Sequence, residues 1–160
     1  MSFDLNILVV QQNKPCHVSS CIEIENEQQM RLRYSDIWTF MGQTKGVWYS
    51  LGITEEGIFN ALPLIRTNFD QEHIIQPFWI RDYDVLSNLT PLLIKEKYQG
   101  ELIKVMKSMI DMSPIKTIMF MARYQGEDEE IIYGSIPSSI FFQYLNQSKI
   151  SFNVCYIITK

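Results

Sequence analysis

The sequence predicts an α+β fold in which a mixed, mostly antiparallel sheet is packed by two main helices, at about residues 91–112 and 138–146. The prediction rests on an alternating apolar pattern at the amino terminus, a long helical period in the second half, and a strand–helix–strand pattern at the carboxy terminus. A length of 160 residues suits one globular domain, 1–160, large enough to bury a core. The 46% hydrophobic and 20% charged residues are ordinary for such a domain.

The first two strands are predicted from a period of two. Apolar residues occupy alternate positions at the start of the chain: Phe3, Leu5, Ile7 and Val9. This alternation indicates a strand that is half-buried on one face. The polar segment from Gln11 to Cys16 contains a proline and is typical of a loop. Ile22 and Ile24 then share one face of a second strand, which we expect to run antiparallel to the first.

The middle of the chain has a weaker pattern. Arg31 to Met41 fits a strand that leads into a short helix, and Val47 to Tyr49 fits a short strand. Thr54 is followed by two acidic residues, which the helix dipole favours in a first turn, so we expect a helix there. It should end before Pro63, because a proline disfavours helical geometry in the residue before it. Leu64 to Arg81 is predicted to be irregular, with a short strand near its end.

The strongest helical pattern lies in the second half of the chain. Seven apolar residues follow a 3.6-residue period: Ile94, Tyr98, Leu102, Val105, Met106, Met109 and Ile110. Pro91 suits the first helical position, and Ser113-Pro114 should end the helix. Gly100 inside it costs about 1 kcal/mol relative to Ala, which the apolar face offsets.

The last third is predicted as strand, turn, strand, helix, strand. Thr117 to Arg123 contains apolar residues on both faces, which is typical of a central strand. The acidic turn Gln125 to Glu130 leads to a return strand, Ile131 to Ile136, and the two strands should form a hairpin. A helix over residues 138–146 follows. Phe152 to Ile158 is expected to be a final strand inside the sheet.

The composition disfavours nucleic-acid and membrane binding. The net charge is −4, and no block of Lys or Arg supplies an electrostatic footprint for phosphates. No apolar run approaches the roughly 20 residues that span a bilayer, and Asp4 stands where a signal peptide needs basic residues. Three cysteines without regular spacing are typical of a reducing compartment. We therefore expect a cytoplasmic protein.

Three short groups contain residues suited to catalysis or ligand binding: Cys16-His17 with Cys21, the segment Gly42 to Gly46, and Asp70 with Glu72 and His73. The first group lacks the second ligand pair of a zinc site. The second lacks the spacing of a phosphate-binding loop. The third has no evident positioned partner for acid–base catalysis. We interpret all three as ordinary loop or strand residues, and we expect no catalytic residue, metal or cofactor.

The candidate partner-binding residues are acidic or aromatic: Glu127, Asp128, Glu129, Glu130, Asp82, Asp84, Trp48 and Trp79. Acidic residues steer basic partners toward a surface, and an exposed tryptophan anchors an interface. Each has a structural alternative. The acidic turn is then a solvated hairpin turn, the two aspartates cap a helix, and the tryptophans belong to the core.

A group of residues in the carboxy-terminal half resembles a known family: Tyr98, Glu101 and Leu102; Ser113-Pro114 with Ile118 and Phe120; Gly134 and Phe141; and Phe152-Asn153 with Cys155 to Ile158. The pattern is similar to that of small immunity proteins of bacterial polymorphic toxin systems. The resemblance implies a cytosolic protein that binds a cognate toxin, blocks its active site and catalyses no reaction. Many such toxins are nucleases with basic surfaces, which an acidic inhibitor would complement.

Two other functions stay open. One is a small enzyme or ligand-binding domain with a pocket in the weakly patterned residues 31–81. The other is an oligomerising structural protein, which would need a self-complementary apolar surface.

Overall fold

The computed structural model describes residues 3–19, 22–26, 28–29, 44–52, 61–63, 90–124 and 131–160. The strands are β1 (Phe3–Val10), β2 (Ile22–Ile24), β3 (Gly46–Leu51), β4 (Ala61–Pro63), β5 (Leu92–Ile94), β6 (Thr117–Tyr124), β7 (Ile131–Pro137) and β8 (Val154–Thr159). The helices are α1 (Glu96–Met112) and α2 (Ser138–Asn146). These elements confirm the predicted α+β class with a mixed, mostly antiparallel sheet.

Six strands form the main sheet in the order β2-β3-β1-β6-β8-β7, and β4 pairs with β5 in a separate ribbon. All pairs in the main sheet are antiparallel except β7 with β8. The predicted hairpin between β6 and β7 is therefore wrong, because β8 lies between them. Parallel neighbours need a crossover connection, and α2 supplies it between β7 and β8.

The second strand also pairs differently from the prediction. β2 pairs with β3, and β3 pairs with β1, so β2 and β1 run in the same direction on either side of β3. The sequence favours local pairing because the two strands are close along the chain. The longer β3 has six residues to pair with β1, whereas β2 has three.

The first strand is buried on both faces, not on one as predicted. Leu5, Ile7 and Val9 belong to the main core cluster. Leu8 and Val10 belong to a second cluster on the opposite face of the sheet. Side chains of the neighbouring strands surround β1 on each face; on the second face these are Trp48 of β3 and Met119 and Met121 of β6.

The long helix begins five residues later than predicted, at Glu96. Pro91 forms an isolated bridge with Ser151, and the Leu92 amide donates to the Ile150 carbonyl at 2.7 Å. These bonds hold residues 92–94 in strand geometry, which overrides the helix-start signal of the proline. The predicted end is confirmed, and there the buried Ser113 hydroxyl donates to the Val10 carbonyl at 2.7 Å.

Aromatic rings fill the core between α2 and the sheet. Phe141 on α2 makes edge contacts with Phe120, Phe142 and Tyr156 at centroid distances of 5.5–6.0 Å. The predicted second helix, the interior position of β8 and the central strand from Thr117 are confirmed. The predictions for residues 31–41, for residues 64–81 and for the acidic turn lie outside the described residues. The helix predicted from Thr54 to before Pro63 also lies largely outside them, but Ala61 and Leu62 at its expected end belong to strand β4, where they pair with β5.

Candidate functional site

A groove lies at the edge of the main sheet, where β2 stops short of the end of β3. Immediately after β2, the Glu25 amide donates to the Trp48 carbonyl at 2.9 Å. β3 continues to Gly46 beyond the registered partners of β2. The space beside this end of β3 has a volume of about 480 Å³. We call it the edge groove; its walls come from the loop after β1, from the residues after β2 and from Lys45.

Gly46, Val47 and Trp48 of β3, all three buried, line the edge groove, and we call them its floor. The Gln11 amide donates to the Lys45 carbonyl at 2.7 Å, so Lys45 directs its main-chain groups toward β1. Main-chain groups alternate in direction along a strand that pairs with an antiparallel neighbour. Gly46 therefore directs its N–H and C=O away from β1, toward the groove.

Gly46 has a steric reason to be glycine. A Cβ atom at this position would overlap the Val9 carbonyl oxygen, and the side chain of Leu8 lies 3.0 Å from the same point. Only the absence of a side chain allows β1 and β3 to approach this closely. The groove floor is therefore fixed by the packing of the two strands.

Four carboxamide side chains line the walls: Gln12, Asn13, Asn26 and Gln28. A carboxamide has two N–H donors and an acceptor oxygen, the same groups that a peptide bond presents. Two oxygens are already engaged, because Gln12 Oε1 accepts from Tyr49 and Asn26 Oδ1 accepts from the Gln29 amide at 3.1 Å. Their amide nitrogens remain as donors at the groove.

Tyr49 fixes one wall to the core. Its ring is fully buried, and its hydroxyl donates to Gln12 Oε1 at 2.9 Å. The same hydroxyl accepts a bond from the Cys16 amide at 3.2 Å. The loop after β1 is thus held at two points by one side chain of β3.

The remaining wall residues balance charge and add apolar surface. Among the described residues that line the groove, Glu25 and Lys45 carry opposite charges that balance. Ile24 is 46% exposed, and Pro15 is also exposed. The edge groove therefore offers hydrogen-bond donors, acceptors and an apolar contact within one site.

Trp48 is the candidate partner-binding residue that the structure describes, and it takes the structural alternative, a position inside the core. It is fully buried and packs with Leu8, Met119 and Cys155 on the second face of the sheet. It lies opposite Leu8 of β1, where the strand pattern places it inside. The other candidates lie outside the described residues: Glu127, Asp128, Glu129, Glu130, Asp82, Asp84 and Trp79.

The three groups of residues suited to catalysis or ligand binding lie only partly within the described residues. Cys16 is exposed, and its thiol lies 3.6 Å from the His17 carbonyl oxygen, whereas Cys21 is outside the described residues. So are Asp70, Glu72 and His73. Within the described ranges, no three His, Cys, Asp or Glu side chains form a metal-binding group. Of the segment Gly42 to Gly46, residues 44–46 are described, and they lead into β3.

A second, smaller pocket of about 170 Å³ lies between α1, the start of α2 and the end of β8. Two of its charged residues pair with each other: Lys160 Nζ lies 2.9 Å from Asp111 Oδ1. The hydrogen bond and the charge of Lys160 hold the pKa of Asp111 below its usual range. This pocket has about a third of the groove's volume, and its carboxylate already has a partner, so the edge groove is the stronger candidate.

The amide walls of the groove were not predicted from the sequence. Two amide-rich segments, Gln11 to Asn13 and Asn26 to Gln29, are visible in the sequence as polar loops. Their proximity to one groove depends on the insertion of β3 between β1 and β2, which no local pattern indicates.

The fold and the groove define a class, an α+β domain with a polar groove at a sheet edge. Comparisons with protein-family models, curated proteins and solved structures find no match to this chain. Neither described helix has the length and apolar character needed to cross a bilayer.

Proposed function

We propose that the chain is a non-catalytic protein-binding domain that neutralises a cognate toxin by covering its active site. The observation that carries this proposal is the edge groove, which combines the edge of β3, four carboxamides and the exposed side chain of Ile24. Sheet edges bind other chains through main-chain bonds, and adjacent apolar contacts add affinity.

The resemblance to immunity proteins is compatible with a molecule whose scaffold and binding surface are formed by different residues. The resembling residues Leu102, Ile118, Phe120, Phe141 and Phe152 are all buried. Such positions maintain a scaffold, while a binding surface must lie elsewhere on the molecule. The edge groove supplies such a surface beside β2 and β3, at the edge of the main sheet opposite β7.

The charge of the chain suits a basic toxin. A net charge of −4 accelerates encounter with a positively charged partner and lowers affinity for competing acidic surfaces. Electrostatic steering acts before contact, so it complements the short-range bonds of the groove. We therefore expect association to slow as salt concentration rises.

The test is co-expression with the carboxy-terminal domain of a large secreted protein encoded by the neighbouring gene. We expect this chain to restore growth that the toxic domain alone stops, and to co-elute with it in gel filtration. An unrelated toxic domain serves as the control and should not be neutralised. Loss of growth in both co-expressions, with no complex detected, rejects the proposal.

A small polar ligand is the second candidate for the same groove. Its volume of about 480 Å³ falls within the range of roughly 300–1,000 Å³ typical of ligand pockets. The pocket predicted within residues 31–81 and the oligomerising function stay predictions.

A further inference from the structure

We propose that the edge groove receives an extended, uncharged segment of a partner protein, which adds to β3 as a short antiparallel strand next to the end of β2. This inference rests on the proposed function only in requiring a protein partner. It specifies the surface, the conformation of the bound segment and the class of side chains it carries.

The direction of the backbone groups supports strand addition. Glu25 already bonds the Trp48 carbonyl, and Gly46 is the next residue of β3 with its N–H and C=O on that side. A segment that enters here continues the hydrogen-bond ladder where β2 ends. Antiparallel pairing matches the orientation of β2 and is slightly more stable than parallel pairing.

The walls complement this short ladder. One residue pair at Gly46 gives few main-chain bonds, so side chains must bond the neighbouring peptide groups. Gln12 and Asn26 have engaged oxygens and retain N–H donors, which suit the carbonyl oxygens of an extended segment. Three residues of such a segment cover about 10 Å.

Charge and exposure define the side chains of the segment. The charges of Glu25 and Lys45 balance among the described lining residues, so these residues offer a strongly charged segment no net attraction to offset its lost hydration. Ile24 and Pro15 are exposed at the rim and can cover one apolar side chain. The occupant is therefore an uncharged strand with an apolar residue near its centre.

The first experiment is an NMR titration of the full ¹⁵N-labelled chain. The probes are capped six-residue peptides of Ser and Thr with Val, Ile, Leu or Phe at the centre, each paired with a copy N-methylated at its central amides. We expect saturable shifts at the amides of Gly46 and Val47 and at the side-chain amides of Gln12, Asn13 and Asn26. Methylation should weaken binding at least tenfold because it removes strand donors.

Three outcomes overturn the inference. The first is that no peptide of the panel shifts these signals at millimolar concentration. The second is equal binding of methylated and unmethylated peptides, which would place the affinity in side chains alone. The third is a set of through-space contacts in the free protein between Gly46 and another segment of the same chain, which would mean that the groove is occupied internally.

A pair of substitutions tests the rim. Ile24→Glu places a charge beside the groove, and Ile140→Glu places the same charge on another exposed isoleucine, 40% exposed against 46% for Ile24. We expect a tenfold or greater loss of peptide affinity for Ile24→Glu and no change for Ile140→Glu. Equal effects of the two substitutions, or no effect of either, contradict the assignment.

Hydrogen exchange distinguishes this inference from the proposed function. It is measured on this chain in complex with the toxic domain encoded by the neighbouring gene. New protection of the Gly46 amide, whose N–H faces the groove, supports both. A complex that leaves the Gly46 amide unprotected overturns the inference and leaves the proposed function standing. Peptide binding in the groove, without any complex with the toxic domain, supports the inference and rejects the proposed function.

Discussion

Tyr156 and Tyr49 both bury their rings completely, yet their hydroxyls bond different parts of the molecule. Tyr156, on β8, accepts a bond from the buried Ser151 amide at 2.9 Å, and burial raises the pKa of its hydroxyl above the usual range. Tyr49, on β3, bonds Gln12 and Cys16, which belong to a loop with exposed residues. The Tyr156 hydroxyl bonds within the core, whereas the Tyr49 hydroxyl holds a wall of the edge groove in place.

The difference separates scaffold from candidate binding surface. β8 has a paired strand on each side, and Phe141 of α2 packs against its Tyr156. β3 is only partly covered by the short β2, so its end borders a groove. The carboxy-terminal part has the clearest sequence pattern because it is core, whereas the groove lies where the pattern is weaker.

The largest effect is expected from a substitution inside the scaffold. Phe141→Ala removes a fully buried ring that contacts three other aromatic residues, and should lower the free energy of unfolding by about 3–5 kcal/mol. Urea denaturation measures this loss. Ile140→Ala, on the exposed side of the same helix, is the control and should change stability by about 0.5 kcal/mol or less. Similar losses for both variants would contradict the assignment of α2 to the core.

The second prediction concerns the groove floor. Gly46→Ala introduces a Cβ that overlaps the Val9 carbonyl, and should destabilise the protein by about 1–3 kcal/mol. Gly100→Ala is the matched control, because the residue is inside α1 and the added Cβ meets no atom within 4 Å apart from its chain neighbours and the backbone of its own helix. That control should stabilise the protein by up to about 1 kcal/mol in thermal or urea unfolding. A neutral Gly46→Ala would show that β1 and β3 are not in such close contact.

Local patterns in the sequence predicted individual elements and failed for pairing between strands. The periodicity of α1 and the two-sided apolar run of β6 depend on which face of an element is buried, so they can be read locally. The hairpin prediction for β6 and β7 failed because β8 is inserted between them from farther along the chain. The groove was missed for the same reason, since it needs β3 between β1 and β2.

The third prediction concerns the buried hydrogen bond that the Ser151 amide donates to the Tyr156 hydroxyl. Tyr156→Phe leaves the Ser151 amide without the acceptor that the described structure provides, in a fully buried position. We expect a loss of about 1–3 kcal/mol in the free energy of unfolding, because water cannot replace the lost partner without opening the core. The loss should appear in global unfolding and leave peptide affinity of the folded protein unchanged. A change in affinity with intact stability would contradict the scaffold role of this tyrosine.

The smallest loss of stability, about 0.5–1.5 kcal/mol, is expected from Tyr49→Phe. The Cys16 residue is exposed, so water can replace the hydroxyl as acceptor for its amide. The effect should instead be local: hydrogen exchange at Cys16 should accelerate while exchange in α1 stays unchanged. Because Gln12 loses the donor that orients its side chain, affinity for the groove peptides should also fall. A Tyr49→Phe protein with unaltered exchange at Cys16 and unaltered peptide binding would show that the loop holds its position without this bond.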